Sequence, residues 1–213
     1  REEMGKAAIK LAKKIKYSSA GTVEFLLDDK TGEFWFLEVN TRLQVEHPIT
    51  EEITGIDLVY EQIKIARGEE LKFSQDDIDW HGHAIEVRLY AEDPENNFLP
   101  EVGTLLAYDT SKADDIRWDS GVEKGYKVGT DFDPMLSKVI SWAPNRIDAI
   151  NKLARGLEKA HFGGLKTNRD FLINCLRNES FIKGNTTTDF IDRENPSARK
   201  ELTKIQLHEA MVA

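Results

Sequence analysis

Residues 21–46 constrain the fold of this chain more than any other stretch. They contain two β-prone runs separated by the polar segment 28–33, which includes Gly32. Strand-forming runs on either side of a short polar turn with a glycine are typical of a β-hairpin. The sequence therefore predicts an antiparallel hairpin whose turn centres on Thr31.

The register of this hairpin decides which side chains share a face. With the turn centred on Thr31, Glu24 lies opposite Glu38 and Thr22 lies opposite Asn40. Because side chains alternate along a strand, Glu24, Glu38 and Asn40 gather on one face, at the end away from the turn. The other face is predicted to meet the core and is apolar throughout: Val23, Phe25, Leu27, Trp35, Leu37 and Val39.

The residues alone leave two interpretations of the polar face open. Like charges directly opposite each other destabilise a sheet, so pairing Glu24 with Glu38 suggests a functional reason. Two carboxylates and an amide oxygen suit hard cations such as Mg²⁺ or Mn²⁺, which usually bind together with substrate phosphates. Alternatively, the face is a solvated acidic surface in a different register, because one β-bulge would break the pairing.

The polar face is predicted to continue past the hairpin. If the chain stays extended, Asn40, Arg42, Gln44 and Glu46 all point the same way. Pro48 restricts the residue before it to extended geometry, which supports that assumption. A cation, an amide and a carboxylate in one line beside a metal site could hold a small anion and move a proton.

Composition narrows the function classes and the compartment. A formal net charge of −9 argues against nucleic acid or an anionic membrane as the partner, since both reward basic surfaces. No run approaches the roughly 20 apolar residues needed to span a bilayer. The single cysteine, Cys175, fits a reducing compartment and lies in an apolar helical stretch, which favours a core thiol. We expect a cytoplasmic location, or the mitochondrial matrix in a eukaryote, where a targeting segment would precede Arg1.

The remaining pattern indicates an α+β fold with an antiparallel sheet and packed helices. Apolar spacing predicts a helix over 2–16 and a second helix that Thr54 or Asp57 opens and Gly68 ends. The buried stripe of this second helix is predicted to hold Ile56, Val59, Ile63 and Ala66. A third helix is predicted to start at Asn145 or Pro144, and a fourth is predicted to be capped by Thr167. The apolar face of the third helix is Ile147, Ile150, Leu153 and Leu157. The predicted strands are 82–92, 102–108, 115–119 and 135–142. Strands that follow one another without intervening helices favour antiparallel pairing.

The acidic segment 69–81 is the predicted domain boundary. We therefore expect one domain over 1–70 and a second over 71–192. The stretch 193–213 is expected to be a peripheral polar tail that ends in a short helix containing Ile205, Leu207 and Met211.

Several motifs together resemble the biotin carboxylases, the ATP-grasp component of biotin-dependent carboxylases. Residues 36–51 read Phe-Leu-Glu-Val-Asn-Thr-Arg-Leu-Gln-Val-Glu-His-Pro-Ile-Thr-Glu, similar to that family's signature. Ala-Gly-Thr-Val-Glu-Phe at 20–25, Ala-Ile-Glu-Val-Arg-Leu-Tyr-Ala-Glu-Asp-Pro at 84–94 and Asp-Pro-Met-Leu-Ser-Lys at 133–138 match it in order. The resemblance covers about 1–192. It implies the end of an ATP-grasp domain over 1–70, followed by a biotin carboxylase C-terminal domain over 71–192.

The resemblance implies roles for the polar residues of the hairpin. Glu24, Glu38 and Asn40 match the family's ligands for Mg²⁺ or Mn²⁺, and Glu24 and Glu38 also match its ATP-binding glutamates. ATP and the metal are therefore the implied cofactors.

The resemblance also implies a bicarbonate site and a biotin site. Arg42, Gln44 and the Val45 backbone amide match the residues around bicarbonate, and Arg42 is counted among the catalytic residues. Glu46 matches the proposed base that takes the bicarbonate proton. Arg88 matches the arginine that stabilises the biotin enolate, with biotin bound to a carrier.

The implied reaction is ATP-dependent carboxylation of biotin through carboxyphosphate, with a biotin carboxyl carrier and a carboxyltransferase as partners. The stretches Thr-Asp-Phe-Asp-Pro-Met-Leu-Ser-Lys and Thr-Asn-Arg-Asp-Phe-Leu look more like acyl-CoA carboxylase α chains, of the acetyl or propionyl type, than like the free-standing bacterial subunit. Pyruvate carboxylase, urea carboxylase and another ATP-grasp ligase stay as alternatives. A further alternative is an association module without chemistry, since the family often forms homo-oligomers through this region.

The match lacks one part of the family pattern. The family's N-terminal domain, its glycine-rich lid and the lysines that hold ATP lie upstream of the matched segment. No nucleotide-binding lysine is therefore assigned here, and the 213 residues are expected to be inactive by themselves.

Overall fold

The computed structural model describes residues 1–110 and 115–197. The chain divides into two compact units, Arg1–Ala84 and Ile85–Ala213. The acidic segment 69–81 folds with the first unit, because the His81 backbone N–H donates to the Ile53 carbonyl at 2.8 Å. The expected division into domains after residue 70 stays a prediction, while the compact units divide between 84 and 85.

The first unit contains a hairpin and three α-helices. In chain order its elements are α1 (Glu2–Lys14), β1 (Thr22–Leu27), β2 (Phe34–Asn40), α2 (His47–Thr54), α3 (Leu58–Ala66) and a 3₁₀ turn (Gln75–Asp77). Strands β1 and β2 pair antiparallel, as the sequence predicts.

Helix α3 begins where the sequence predicts but buries a different face. The Asp57 side chain accepts a hydrogen bond from the Tyr60 N–H at 2.8 Å, which caps the first turn. Val59 and Ile63 were expected on the buried stripe, but they are 42% and 53% exposed. Lys64 is only 6% exposed and is paired with Glu61 at 2.9 Å. The buried side of α3 therefore holds an ion pair, and the predicted stripe is wrong.

Helix α2 corrects the expectation of an extended chain before Pro48. The helix begins at His47, and Pro48 occupies its first turn. A proline is well tolerated there, because the first N–H groups of a helix have no intrahelical acceptor. Gly55 ends the helix with φ 73°, a left-handed conformation that suits glycine.

The second unit combines small antiparallel sheets with packed helices. Its strands are β3 (His83–Tyr90), β4 (Glu92–Asp93), β5 (Leu99–Pro100), β6 (Gly103–Thr104), β7 (Ala107–Asp109), β8 (Arg117–Ser120), β9 (Lys127–Val128), β10 (Met135–Ala143) and β11 (His161–Gly163). Its helices are α4 (Arg146–Lys159), α5 (Arg169–Arg177), α6 (Glu179–Lys183) and α7 (Phe190–Glu194), with a 3₁₀ turn at Pro94–Asn96. The largest sheet has the strand order β3-β10-β8, and β7 pairs with β11, β4 with β5, and β6 with β9. The α+β prediction is confirmed.

The hydrophobic core lies between the three-stranded sheet and helices α4 and α5. Ile150, Leu153 and Leu157 of α4 are buried as predicted, whereas Ile147 is 56% exposed. The cluster is completed by residues of the strands and of α5, among them Leu89, Val139, Leu172 and Leu176. Each leucine that is fully removed from water contributes about 2 kcal/mol to folding. This core supports β3, the strand that carries Arg88.

The predicted tail over 193–213 is described only as far as residue 197. Helix α7 reaches into it, ending at Glu194. The short helix expected around Ile205, Leu207 and Met211 lies outside the described residues. Within 1–110 and 115–197, no helix has both the length and the apolar character needed to cross a membrane.

Candidate active site

The polar end of the hairpin has the predicted register. Thr22 pairs with Asn40, and Glu24 pairs with Glu38. The two glutamates are therefore directly opposite each other, as the interpretation of a cation site requires.

A β-bulge follows immediately and changes the rest of the hairpin. The register shifts between Glu24 and Phe25, so that Phe25 pairs with Phe36. The rings of Phe34 and Phe36 lie 5.4 and 6.4 Å from that of Phe25, which places all three on one face. The predicted apolar face is therefore wrong beyond the bulge.

The apolar face is also less buried than expected. Trp35 and Leu37, both predicted to meet the core, are 52% and 50% exposed, and Leu27 is 53% exposed. Apolar side chains stabilise a fold only in so far as they leave water. Within the described chain, these half-exposed side chains therefore contribute little to the stability of the hairpin.

Glu24, Glu38 and Asn40 form one hydrogen-bonded group, here called the carboxylate cluster. The Asn40 Nδ2 donates to Glu24 Oε1 at 2.8 Å and to Glu38 Oε1 at 3.1 Å. The amide hydrogens thus lie between two carboxylates, where a cation would also be attracted. Turning the amide would direct Asn40 Oδ1 to the same place, which completes an all-oxygen donor set for Mg²⁺. The residues present therefore fit a hard cation.

The cluster depends on Asn40 as its third donor. Across the described ranges, no three His, Cys, Asp or Glu residues are grouped so that they could hold a metal by themselves. A cation held by two carboxylates and an amide would keep further positions for water or for phosphate oxygens.

Arg42 and Gln44 join the carboxylate cluster. Gln44 Nε2 donates to Glu24 Oε1 at 3.2 Å, and Arg42 Nη1 donates to Gln44 Oε1 at 2.8 Å. Arg42 Nη2 also approaches Asn40 Oδ1 at 3.5 Å. The predicted metal ligands and the predicted anion-binding side chains thus form one continuous network.

The segment that carries these residues turns instead of staying extended. Glu46 precedes α2 with φ −81° and ψ 13°, and the His47 N–H donates to the Gln44 carbonyl at 3.3 Å. Arg42, Gln44 and Glu46 nevertheless line one cavity of about 510 Å³. The sequence analysis predicted their grouping from an extended chain, whereas a tight turn brings them together.

We call this cavity the anion pocket, after the side chains predicted to bind an anion. Its opposite wall was not identified from the sequence. Residues 19–22 line it, and Thr50 and His47 of α2 contribute beside them. The Tyr17 hydroxyl donates to the Ala20 carbonyl at 2.7 Å, which closes this loop on itself. A Cβ at Gly21 would lie 3.2 Å from the Asn40 carbonyl, so the glycine allows the loop to approach β2. The motif at 20–25 was visible in the sequence, but it indicated only that these residues form a strand and not that they line a cavity.

Arg88 lies on β3 in the second unit, and its side chain is exposed. Its backbone is held by Asn168, which is only 4% exposed. Asn168 Nδ2 donates to the Arg88 carbonyl at 3.1 Å, and the Tyr90 N–H donates to Asn168 Oδ1 at 2.9 Å. Thr167 was predicted to cap α5, and its Oγ1 accepts from the Arg169 N–H at 3.4 Å. Asn168 occupies the N-cap position, but its side chain makes no capping hydrogen bond and holds β3 instead.

Cys175 of α5, expected in the core, is half-buried, and it is not a candidate nucleophile. Burial raises the pKa of Cys175 from 9.0 to about 12. A reactive cysteine needs the opposite shift, because the thiolate is the nucleophile.

Two family models match the chain in succession. Residues 1–74 match the ATP-binding domain of the carbamoyl-phosphate synthase L chain, and residues 86–193 match the biotin carboxylase C-terminal domain. The second match alone covers half of the chain.

Individual relatives and a solved structure agree with these models. The chain is 47% identical to a pyruvate carboxylase subunit of Methanothermobacter thermautotrophicus over 205 residues, covering 96% of this chain and 41% of the relative. It is 45% identical to a biotin carboxylase of Nostoc sp. over 195 residues, covering 92% and 43%. The biotin carboxylase domain dimer of Hydrogenobacter thermophilus 2-oxoglutarate carboxylase, solved with MgADP, ADP and bicarbonate, superposes with a TM-score of 0.90 at 41% identity, covering 94% and 44%.

The matches extend over nearly the whole chain but over less than half of each relative. The chain spans about two fifths of the length of the two curated relatives named above. The hairpin with its polar segment lies inside the first matched range, and Arg88 lies inside the second. The chain belongs to the biotin carboxylase family.

Proposed function

We propose that this chain is part of a biotin carboxylase that uses MgATP and bicarbonate to carboxylate biotin on a carrier protein. The observation that carries the proposal is the connection between the carboxylate cluster and the anion pocket. Gln44 donates to Glu24 of the cluster and accepts from Arg42, which lines the pocket. A phosphate-bound cation and a small anion would then lie side by side, as phosphoryl transfer to bicarbonate requires.

The carboxylate cluster is proposed to bind the metal and ATP. Glu24, Glu38 and Asn40 would hold Mg²⁺ or Mn²⁺, and Glu24 and Glu38 would share it with the phosphates. When bound, the cation neutralises the triphosphate and orients it for in-line transfer.

The anion pocket is proposed to bind and activate bicarbonate. Arg42 supplies a cation, Gln44 an amide and Val45 a backbone N–H, which together hold the anion next to the γ-phosphate. Glu46 takes the bicarbonate proton, and the bicarbonate oxygen forms a bond to the γ-phosphorus. The bond from that phosphorus to the leaving oxygen breaks, so that ADP departs and carboxyphosphate forms.

Arg88 is proposed to act in the second step. Carboxyphosphate breaks down to CO₂ and phosphate. The released phosphate takes the proton of the biotin ureido nitrogen, and that nitrogen bonds to the CO₂ carbon. A guanidinium near the ureido oxygen stabilises the enolate formed on deprotonation. The exposed side chain of Arg88 on a strand with a fixed backbone supports this role.

The test uses the chain extended to the full length of its relatives. ATP cleavage is measured with bicarbonate and free biotin, beside Glu46→Gln and the matched control Glu52→Gln on α2. We expect biotin-stimulated cleavage that Glu46→Gln lowers by about 10²- to 10⁴-fold and that Glu52→Gln retains. Cleavage indifferent to both biotin and Glu46 would point to another ATP-grasp substrate and overturn the proposal.

We propose further that residues 1–213 alone do not catalyse this reaction. The chain covers at most about two fifths of the length of its curated relatives, and none of its lysines is assigned to the nucleotide. Robust bicarbonate-dependent ATP cleavage by these residues alone would contradict this.

The acceptor, partners and location are proposed from the family. The proposed acceptor is an acyl-CoA of the acetyl or propionyl type, reached through a biotin carboxyl carrier and a carboxyltransferase, in the cytoplasm or the mitochondrial matrix. A pyruvate carboxylase subunit and a 2-oxoglutarate carboxylase domain are 47% and 41% identical to this chain, so their acceptors are also candidates. Measuring the carboxylation of each candidate acceptor by the assembled enzyme decides between them. A homo-oligomer is expected, and sedimentation at micromolar concentration tests it.

A further inference from the structure

We infer that His47 is the positioning residue of the anion pocket, holding the turn that presents Gln44 and Glu46. The consequence for the reaction rests on the proposed function, whereas the hydrogen bonding of the ring can be tested without it. His47 lines the same pocket as these two residues and lies at the start of α2.

The ring of His47 binds the carbonyl of the residue that links the two sites. His47 Nδ1 lies 2.8 Å from the Gln44 carbonyl oxygen. A carbonyl oxygen can only accept, so Nδ1 carries the proton in this contact. The same oxygen also accepts from the His47 backbone N–H at 3.3 Å. One residue therefore holds the Gln44 peptide through two donors.

The other side of the ring faces Glu51, one turn further along α2. His47 Nε2 lies 3.8 Å from Glu51 Oε1, which is beyond hydrogen-bonding distance, and the two side chains are 11% and 10% exposed. Glu51 Oε1 accepts from the Leu58 N–H at 2.9 Å, at the first residue of α3. The contact that holds the ring to the turn is therefore the one between Nδ1 and the Gln44 carbonyl.

The contact between His47 Nδ1 and the Gln44 carbonyl fixes the orientation of the Gln44 side chain. Gln44 donates to Glu24 and accepts from Arg42, so a rotation of its peptide would displace both contacts. The next residues along the turn supply the Val45 amide and the Glu46 carboxylate. A displacement of about 1 Å in a reacting group can cost about 100-fold in rate. Losing the His47 contact is therefore expected to weaken bicarbonate binding and proton transfer together.

Isosteric substitutions separate this role from simple packing. The amide nitrogen of asparagine falls near the position of Nδ1, whereas that of glutamine falls near Nε2. In the chain extended to the length of its relatives, we expect His47→Gln and His47→Leu to raise the KM for bicarbonate about tenfold or more and to lower kcat. The KM for ATP should change less than about threefold. His47→Asn should stay within about threefold of the parent protein in each constant.

Two results would overturn the inference. One is full activity in His47→Leu. The other is an equal loss in His47→Asn and His47→Leu while both retain the parent's circular dichroism and melting temperature.

A second measurement does not depend on activity. The chain has 5 histidines, and ¹⁵N labelling of histidine gives the tautomer of each neutral ring. We expect His47, assigned by comparison with His47→Asn, to carry its proton on Nδ1. A neutral ring protonated on Nε2 would overturn the inference. If the extended protein lacks bicarbonate-dependent ATP cleavage while Nδ1 is protonated, the proposed function fails and the inferred contact stands.

Discussion

Asn168 and Tyr90 exchange two hydrogen bonds, one from the Tyr90 N–H to Asn168 Oδ1 at 2.9 Å and one from the Asn168 N–H to the Tyr90 carbonyl at 3.1 Å. A side chain thereby pairs with the backbone of β3 as a neighbouring strand would. Asn168 is buried and also bonds to the Arg88 carbonyl, so the backbone position of Arg88 depends on the start of α5 as well as on the sheet.

Asn168→Ala is the first test of this arrangement. The substitution leaves the Tyr90 N–H and the Arg88 carbonyl without the Asn168 side chain, in a region that is shielded from water. We expect a loss of about 1–3 kcal/mol in the free energy of unfolding, measured by urea denaturation. The exposed Asn185→Ala should change it by less than about 0.5 kcal/mol. Equal effects of the two substitutions would refute a structural role for Asn168.

Gly164→Ala should destabilise the second unit more strongly than its backbone conformation alone explains. Gly164 has φ 102°, and a Cβ there would lie 2.2 Å from the Thr104 carbonyl oxygen. Gly184 has φ 78° but open space around the same position, so Gly184→Ala measures the conformational cost by itself. We expect about 1 kcal/mol for Gly184→Ala and clearly more for Gly164→Ala, by thermal unfolding. Similar melting temperatures for both variants would contradict the predicted clash.

Cys175 should make stability fall in alkali. Its pKa is about 12 in the fold against 9.0 as an ordinary thiol, so the folded state keeps the proton more tightly. This contribution is fully present below pH 9 and is lost as the pH rises toward 12. The difference in unfolding free energy between the parent chain and Cys175→Ala should therefore shrink above pH 9. Rapid alkylation of the native thiol by iodoacetamide at pH 8 would argue against a raised pKa.

Glu38→Gln should weaken metal binding at the carboxylate cluster. The change removes one of two opposed charges while keeping the size of the side chain, so Asn40 retains a hydrogen-bonding neighbour. We expect the affinity for Mn²⁺ in the presence of ATP to fall about tenfold or more in the extended protein, measured by electron paramagnetic resonance. Glu33→Gln, beyond the far end of β2, is the matched control and should leave the affinity unchanged. Equal affinities of parent and Glu38→Gln would remove Glu38 from the metal site.

The sequence was sufficient for the polar end of the hairpin and insufficient for its apolar end. The pairing of Glu24 with Glu38 was predicted with the turn centred on Thr31. Leu27 pairs with Phe34, so the turn is in fact centred between residues 30 and 31, and the bulge produces the predicted pair. The bulge could not be predicted from alternation, because alternation assumes one residue opposite one residue and a bulge sets two against one. Phe36 therefore lies on the face of Phe25, where Leu37 was expected.

Proline was the reason that α2 was missed. The restriction of the residue before a proline to extended geometry is a tendency, and His47 is helical in spite of it. The same error hid the role of His47, because its ring reaches the Gln44 carbonyl only across a tight turn. The grouping of Arg42, Gln44 and Glu46 was still predicted, although the turn also brings Leu43 to the same cavity, which alternation would not do.

The uneven burial of the two units has a thermodynamic consequence. In the described part of the chain, apart from Pro48 and Ala84, the buried apolar residues all lie in the second unit. Heat capacity on unfolding rises with the apolar surface that becomes exposed. Calorimetry of residues 1–213 should therefore show most of the heat-capacity increase when the second unit melts.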